Sequence, residues 1–139
     1  MNKSLTGLLI ALTINVLAVF SFAAESPVIL SHILTGYNKG STTTTIDYSL
    51  HIANPGNTTL DDLTLSLVPV PPLVAKRIIV NVGYLGPHQS TDVTLQIATP
   101  AQLDSERLSR TPLFWAGKFI DVEGKPVEFP AKSKPGGAK

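Results

Sequence analysis

The sequence predicts an all-β fold, an antiparallel β-sandwich of seven short strands in a single domain. Apolar and polar residues alternate through residues 46–67 and 78–97, and this period of two places every second side chain on one face of a sheet. Turn sequences rich in proline, glycine and asparagine interrupt the alternation at residues 54–57 and 85–87, and these residues supply the backbone angles that chain reversal needs. Two sheets packed face to face would bury the apolar sides and leave the polar sides in water.

The N-terminus predicts export from the cell. Lys3 gives a short basic start, residues 8–20 are largely apolar, and Ser21 and Ala23 are small residues at the positions that a signal peptidase reads. This is the layout of a secretory signal peptide, so we expect residues 1–23 to be a cleaved signal peptide. Cleavage after Ala24 is the near alternative. Retention as a membrane anchor is also open, since a span needs roughly 20 apolar residues.

Composition narrows the class of protein. The chain contains no cysteine, so it forms no disulfide and has no thiolate chemistry. An exported domain without disulfides favours a bacterial protein that is periplasmic or secreted. Eleven Lys and Arg residues nearly balance ten Asp and Glu residues, and no concentrated basic face for nucleic acid is predicted. After cleavage of the signal peptide we expect no membrane span.

The first three strands follow from alternation and its breaks. The first is predicted over residues 27–35 and ends at a turn over 36–40, which contains two glycines. The second, 42–53, directs four apolar side chains inward and His51 outward. The third directs three leucines inward between residues 63 and 67 and stops at Pro69, because proline has no N–H for a strand ladder.

The remaining strands follow the same logic. The fourth, 76–84, carries Ile78, Val80, Val82 and Tyr84 in one phase, and the fifth alternates over 92–97. A short helical turn is predicted at 102–108 in the longest connection. The sixth strand covers 113–122, and a tight turn at residues 123–124 leads into the seventh, 125–129.

Domain boundaries follow from these elements. Residues 24–130 form the sandwich. Residues 131–139 have no apolar periodicity, so we expect a flexible C-terminal tail.

Seven strands at this spacing indicate an immunoglobulin-like or fibronectin-type-III-like sandwich. Residues 52–67 read as an aliphatic strand, Asn-Pro-Gly-Asn-Thr-Thr-Leu and an amphipathic strand, and residues 85–95 begin with Leu-Gly-Pro. Over residues 48–97 the chain resembles the cell-adhesion-related bacterial domain group, although His88 and Gln89 replace that group's glycine and acid. The resemblance implies a sandwich with a role in adhesion, spacing or subunit contact and no shared catalytic site.

We predict no catalytic residues. His88, Ser90 and Asp92 lie close in sequence, but the nucleophile turn Gly-x-Ser-x-Gly is missing. We interpret them as a polar turn that leads into a strand. The pair Asp61-Asp62 is interpreted as a solvated turn. The protein is therefore expected not to be an enzyme.

We predict neither a metal site nor a cofactor site. Imidazole suits copper and zinc, and the chain has His32, His51 and His88 on three separate segments. Cysteine is missing and the initiator is the only methionine, so the soft ligands for Cu(I) are missing as well. The sequence leaves open whether the three histidines converge.

Two features favour contact with another protein. The connection at residues 68–74 is unusually apolar, and it either covers the end of the sandwich or presents a partner-binding surface made of Val70, Pro71, Pro72, Leu73 and Val74. The threonine run at 42–45 would suit the addition of a partner's strand if it lay at an edge. Trp115 is predicted to be a core residue between the sheets. An exposed Trp115 would instead favour stacking on a sugar.

The sequence therefore favours an exported, non-enzymatic protein-interaction module, an accessory or structural subunit of a bacterial envelope assembly with a protein partner in the envelope. A carbohydrate- or surface-binding adhesive module is the alternative. A small periplasmic metal carrier is a further one.

Overall fold

The computed structural model describes residues 26–70, 78–100 and 104–136. Its elements in chain order are β1 (Ile29–Lys39), β2 (Thr44–Ala53), β3 (Leu60–Val68), β4 (Ile79–Leu85), β5 (Ser90–Thr99), α1 (Ser105–Ser109), β6 (Leu113–Ile120) and β7 (Pro126–Pro135). The all-β prediction is confirmed, and α1 overlaps the helical turn predicted at 102–108. No helix within these ranges is long and apolar enough to cross a membrane. The predicted signal peptide, residues 1–23, lies outside the described residues.

The seven strands form one continuous hydrogen-bonded sheet in the order β4-β3-β6-β7-β1-β2-β5, which curves nearly into a barrel. Every neighbouring pair is antiparallel except β1 and β7, which run parallel with Leu30 opposite Ser133. The prediction of a purely antiparallel arrangement is therefore wrong at this pair. Alternation along a strand reports which side chains face inward, but it carries no information about the direction of the neighbouring strand.

The hydrophobic core lies on the inner side of this curved sheet. Ile46, Tyr48, Leu50 and Ile52 of β2 are completely buried, because β2 pairs on one side with β1 and on the other with β5. Within the threonine run at 42–45, Thr44 and Thr45 are consequently not at an edge, because each is paired on both sides. Trp115 is 1% exposed, so its predicted place in the core is confirmed.

β1 continues beyond its predicted end at residue 35. The register with β2 shifts between Leu34 and Gly36, and a Cβ at Gly36 would collide with the carboxylate of Asp47. The absence of a side chain at Gly36 thus allows β1 to continue beside β2 through an irregularity, and β1 does not end there. The hairpin closes later, where Gly40 N–H donates to Thr43 O at 2.8 Å. The turn predicted at 36–40 is wrong for this reason.

A second irregularity reverses the phase at the end of β4. Gly83 has a φ of 78°, a left-handed conformation that glycine adopts without steric cost, and the register with β3 is shifted beside it. Leu85 therefore faces the core, whereas Tyr84 is 65% exposed. Tyr84 was expected to share the inward phase of Val80.

β7 runs to Pro135, five residues into the segment expected to be a flexible tail. The inward positions there, Ala131 and Ser133, are small, so the sequence shows no apolar periodicity. Their burial comes from packing between β6 and β1 and from hydrogen bonds of Ser133. The predicted tail boundary at residue 131 is corrected accordingly.

Candidate protein-contact surface

The outward sides of β3, β4, β6 and β7 form one continuous surface, which we call the front face. It consists of Ser66, Val68, Ile79, Phe114, Ala116, Lys118, Glu128, Pro130 and Lys132. Cross-strand register sets its rows: Val68 lies beside Phe114, which lies beside Lys132. In the next row Ala116 lies between Ser66 and Pro130.

Large apolar side chains remain exposed on the front face. Val68 is 40% exposed, Ile79 53% and Phe114 37%, and each alternates with a buried neighbour along its strand. They surround the smaller side chains of Ser66 and Ala116. The front face is therefore apolar at its centre, although outward positions of a sheet are normally polar.

An open depression of about 430 Å³ lies at this centre. It is lined by Val68, Trp115, Ala116, Gly117, Glu128, Phe129 and Pro130. On the inner side, Gly117 lets the ring of Phe129 from the neighbouring strand β7 pack against β6, since a Cβ there would collide with that ring. On the outer side, the small side chain of Ala116 leaves room between the larger side chains of Val68 and Pro130.

Charged side chains border the depression. The ammonium group of Lys132 lies 6.0 Å from the centroid of the Phe114 ring, within the range of a cation–π interaction. Lys118 and Glu128 occupy opposite positions on β6 and β7. The border can therefore offer both a cationic and an anionic contact to a molecule bound at the centre.

One of the five predicted partner-binding residues can be placed. Val70 follows β3, close to Val68, and is 38% exposed. Pro71, Pro72, Leu73 and Val74 lie outside the described residues.

A buried hydrogen-bond network lies beneath the front face. Trp115 Nε1–H donates to Ser133 Oγ at 3.1 Å, and Ser133 Oγ lies 2.8 Å from His32 Nδ1. His32 Nε2 lies 2.9 Å from the Thr111 carbonyl oxygen, which can only accept. His32 therefore carries its proton on Nε2, and Nδ1 accepts from the Ser133 hydroxyl.

Burial sets the protonation of two groups in this region. It lowers the pKa of His32 below 6.5, while the hydrogen bond to the Thr111 carbonyl opposes that shift, so the imidazole is neutral at pH 7. Burial also raises the pKa of Tyr48 to about 12. The Tyr48 ring meets the His32 ring edge-on at 5.1 Å between centroids, and its hydroxyl donates to Leu108 O. These polar groups hold β1, β2, β7 and the α1 connection together.

The three histidines do not converge. His32 lies in the core, His51 Nδ1 is 2.7 Å from Asp92 Oδ1 on the surface, and His88 Nε2 is 2.7 Å from Asn57 Oδ1 at a turn. Among residues 26–70, 78–100 and 104–136, no group of three or more His, Cys, Asp or Glu side chains could hold a metal ion.

His88, Ser90 and Asp92 have separate partners. His88 bonds to Asn57 and Asp92 bonds to His51, while Ser90 lies opposite Ala53 in the ladder. The structure therefore does not bring His88, Ser90 and Asp92 together. Asp61 accepts the backbone N–H of Asp62 at 3.0 Å, and both carboxylates are exposed.

The outward sides of β1, β2 and β5 form a second surface, which we call the back face. It consists of Ile29, Ser31, Ile33, Asp47, Ser49, His51, Asp92, Thr94 and Gln96. Its polar side chains bond to each other: besides the His51–Asp92 pair, Gln96 Nε2 donates to Asp47 Oδ1 at 3.1 Å. Its exposed apolar side chains, Ile29 and Ile33, stand only on β1.

Comparison with known proteins establishes no family. The sequence matches no protein-family model and no curated protein. The structure is similar to part of a GH20 exo-β-N-acetylglucosaminidase from Vibrio harveyi, solved with N-acetylglucosamine, with a TM-score of 0.50 and 12% identity over 79% of this chain and 18% of that chain. It is also similar to Northeast Structural Genomics Consortium target SoR45, with a TM-score of 0.47 and 9% identity over 81% of this chain and 88% of that one.

These likenesses concern the fold alone. The chain spans less than a fifth of the Vibrio enzyme that it matches. Fold and surface thus define an all-β domain with one apolar and one polar outer face.

Sequence reasoning missed most of the front face. Its signal was present in Val68, Phe114 and Pro130, which are apolar residues at outward positions of their strands. The three strands are distant in sequence, and only the order β3-β6-β7 brings those positions together.

Proposed function

We propose that this protein is an exported, non-enzymatic protein-interaction module of a bacterial envelope assembly, and that the front face is its contact surface. The supporting observation is the group of exposed Val68, Ile79 and Phe114 side chains around an open depression. Contiguous exposed apolar surface with a polar border marks interaction sites. The strand order supports an immunoglobulin-like arrangement, since β4-β3-β6-β7 and β1-β2-β5 would be its two sheets.

Carbohydrate binding has weaker support. Trp115 is buried, and the exposed rings of Tyr84 and Phe114 are far apart. Residue 83 lies opposite Leu63 and Phe114 opposite Val68, and five residues along β3 correspond to about 16 Å. Within the described ranges these two rings cannot stack on one sugar. A metal carrier is disfavoured by the separation of the three histidines.

Cross-linking in intact cells tests the proposal. The mature protein and its cross-linked partners are captured and identified by mass spectrometry, with the double variant Val68→Ser/Phe114→Ser alongside. Because apolar anchors dominate interface energies, we expect one reproducible envelope protein whose affinity falls about tenfold or more in the variant.

The matched control is Ile29→Ser/Ile33→Ser on the back face, which removes two apolar side chains that are even more exposed than Val68 and Phe114. Thermal melting verifies that all variants fold. Equal loss of the partner in the control, or recovery of background proteins alone, would contradict a front-face interface. N-terminal sequencing of the exported protein tests cleavage after Ala23 independently.

A further inference from the structure

Charged side chains are distributed unequally between the two faces. The front face carries Lys118, Lys132 and Glu128, whereas Lys134 lies beside Ser31 at the seam with the back face. The back face carries the carboxylates of Asp47 and Asp92. Two lysines, Lys118 and Lys132, and one carboxylate, Glu128, therefore stand close to the depression, while Asp61 lies farther along β3, opposite Ile120.

This distribution disfavours contact between two front faces. Lysines from both copies would be brought together, and like charges at an interface oppose association. A partner that brings carboxylates would instead complement Lys118 and Lys132. The Lys132 ammonium lies 6.0 Å from the centroid of the Phe114 ring, at the border of the apolar centre.

Strand addition at the free side of β7 is also disfavoured. β7 pairs with β1 only from Ser133 onward, so among residues 26–70, 78–100 and 104–136 no strand pairs with residues 126–132 on that side. Pro126 and Pro130 occupy this segment, and proline lacks the N–H that an added strand would need. Contact at this part of the sheet therefore has to come from side chains on the front face.

We propose that the depression accepts one aliphatic or aromatic side chain of a protein partner, and that carboxylates flanking this side chain pair with Lys118 and Lys132. This inference rests on the proposed function and adds the chemistry of the partner. The small side chain of Ala116 provides the space, Val68 and Pro130 the apolar walls, and the two lysines the charge.

Peptide titration of the mature protein tests this chemistry. The probe is a short peptide in which leucine alternates with glutamate, and its control has lysine in place of glutamate. Amide shifts in ¹⁵N spectra are expected at residues 114–118 and 128–132 with the glutamate peptide. The lysine peptide is expected to bind at least about fivefold more weakly, since two exposed ion pairs become repulsive.

Charge reversal provides the second arm. Lys118→Glu/Lys132→Glu is expected to reverse the preference between the two peptides, and Lys39→Glu/Arg107→Glu, equal in charge change but away from the depression, is expected to keep it. Raising the salt concentration should weaken the glutamate peptide's binding, because these pairs are exposed.

Three results would overturn the inference: equal binding of both peptides, shifts confined to the back face, or self-association of the protein without peptide binding. The cross-linking experiment separates this failure from failure of the proposed function. If the partner is lost with Val68→Ser/Phe114→Ser but retained with Lys118→Glu/Lys132→Glu, the front-face interface is supported and the proposal of an acidic partner is wrong. If no partner is recovered, the proposal of a front-face interface is itself contradicted.

Discussion

The front and back faces cover the same core but differ in how their outward positions are filled. On the back face, polar side chains of β2 and β5 bond to each other, as in the His51–Asp92 and Asp47–Gln96 contacts. On the front face, Val68 and Phe114 point outward beside small side chains and an open depression. Both surfaces are compatible with the pleat, so folding alone does not explain the apolar residues of the front face.

The difference between the two faces matters because an apolar side chain that stays exposed contributes less to the stability of the fold than a buried one. Full burial of a side chain such as Val or Phe contributes roughly 1.5–3 kcal/mol, and outward positions of the front face forgo part of it. Single exposed isoleucines, as on β1, are ordinary features of protein surfaces. A contiguous group of exposed apolar side chains on three neighbouring strands, as formed by Val68, Ile79 and Phe114, is unusual. The comparison therefore assigns folding to the inward positions of both faces and partner contact to the front face.

Adjacent residues of β6 give the largest contrast between inward and outward positions. Trp115→Ala removes a core ring and the donor to Ser133, and we expect a loss of about 3–5 kcal/mol in the free energy of unfolding. Phe114→Ala should cost less than about 1 kcal/mol, because its ring faces outward. Urea denaturation measures both. Equal losses would contradict the division between folding and contact positions.

Overpacking the core beneath the front face should give the next largest loss in the free energy of unfolding. In Gly117→Ala the new methyl group meets the buried ring of Phe129, and such crowding costs roughly 1–3 kcal/mol. The second variant, Gly117→Ala/Phe129→Leu, removes the ring and should recover part of this loss relative to Phe129→Leu alone. Denaturation curves of the four proteins give the coupling. Strict additivity would show that the ring and the methyl group do not meet.

The pH dependence of stability tests the seam between the faces, where β1 meets β7. Because burial holds the pKa of His32 below 6.5 in the folded protein, the unfolded chain binds more protons once the pH falls below 6.5. His32 should therefore favour the unfolded state progressively as the pH drops from 6.5 to its folded pKa, by up to about 1.4 kcal/mol per pH unit.

The measurement compares the pH dependence of unfolding free energy in the wild type and in His32→Gln, with His51→Gln on the back face as control. Only the variant at His32 should lose this slope. A wild-type slope in His32→Gln would mean that the buried imidazole does not titrate upon unfolding.

The smallest effect is expected on the back face. The side chains of His51 and Asp92 are 47% and 68% exposed, and exposed ion pairs contribute about 0–1 kcal/mol. Asp92→Asn should therefore change the free energy of unfolding by less than about 1 kcal/mol, and salt should reduce the difference. A larger, salt-independent loss would indicate that back-face polar contacts hold the sheet together.

Several structural features were predictable because they depend on local periodicity. Alternation placed the apolar side chains of β2 and β5 inward, and the position of Trp115 in a strand with aromatic neighbours indicated the core. It failed where glycine altered the phase, at Gly36 and Gly83, since a bulge changes which face later residues occupy. It also failed at Ala131 and Ser133, whose burial depends on small size and on hydrogen bonds to His32 and Trp115 rather than on apolar character.

The candidate surface was less predictable than the fold. Only Val70 among the predicted partner-binding residues can be placed, and it lies beside a surface that the sequence did not indicate. Val68, Phe114 and Pro130 come together because β3, β6 and β7 are neighbours in the sheet.

The sequence by itself determined the all-β class, the positions of most strands and the inward phase of the core, because each follows from the geometry of an extended chain within a few residues. Tertiary structure alone decided the parallel β1–β7 pair, the His32–Ser133–Trp115 network and the assembly of the front face. Strand order brings residues up to about a hundred positions apart into contact, as between His32 and Ser133, and no local pattern of residues encodes that proximity.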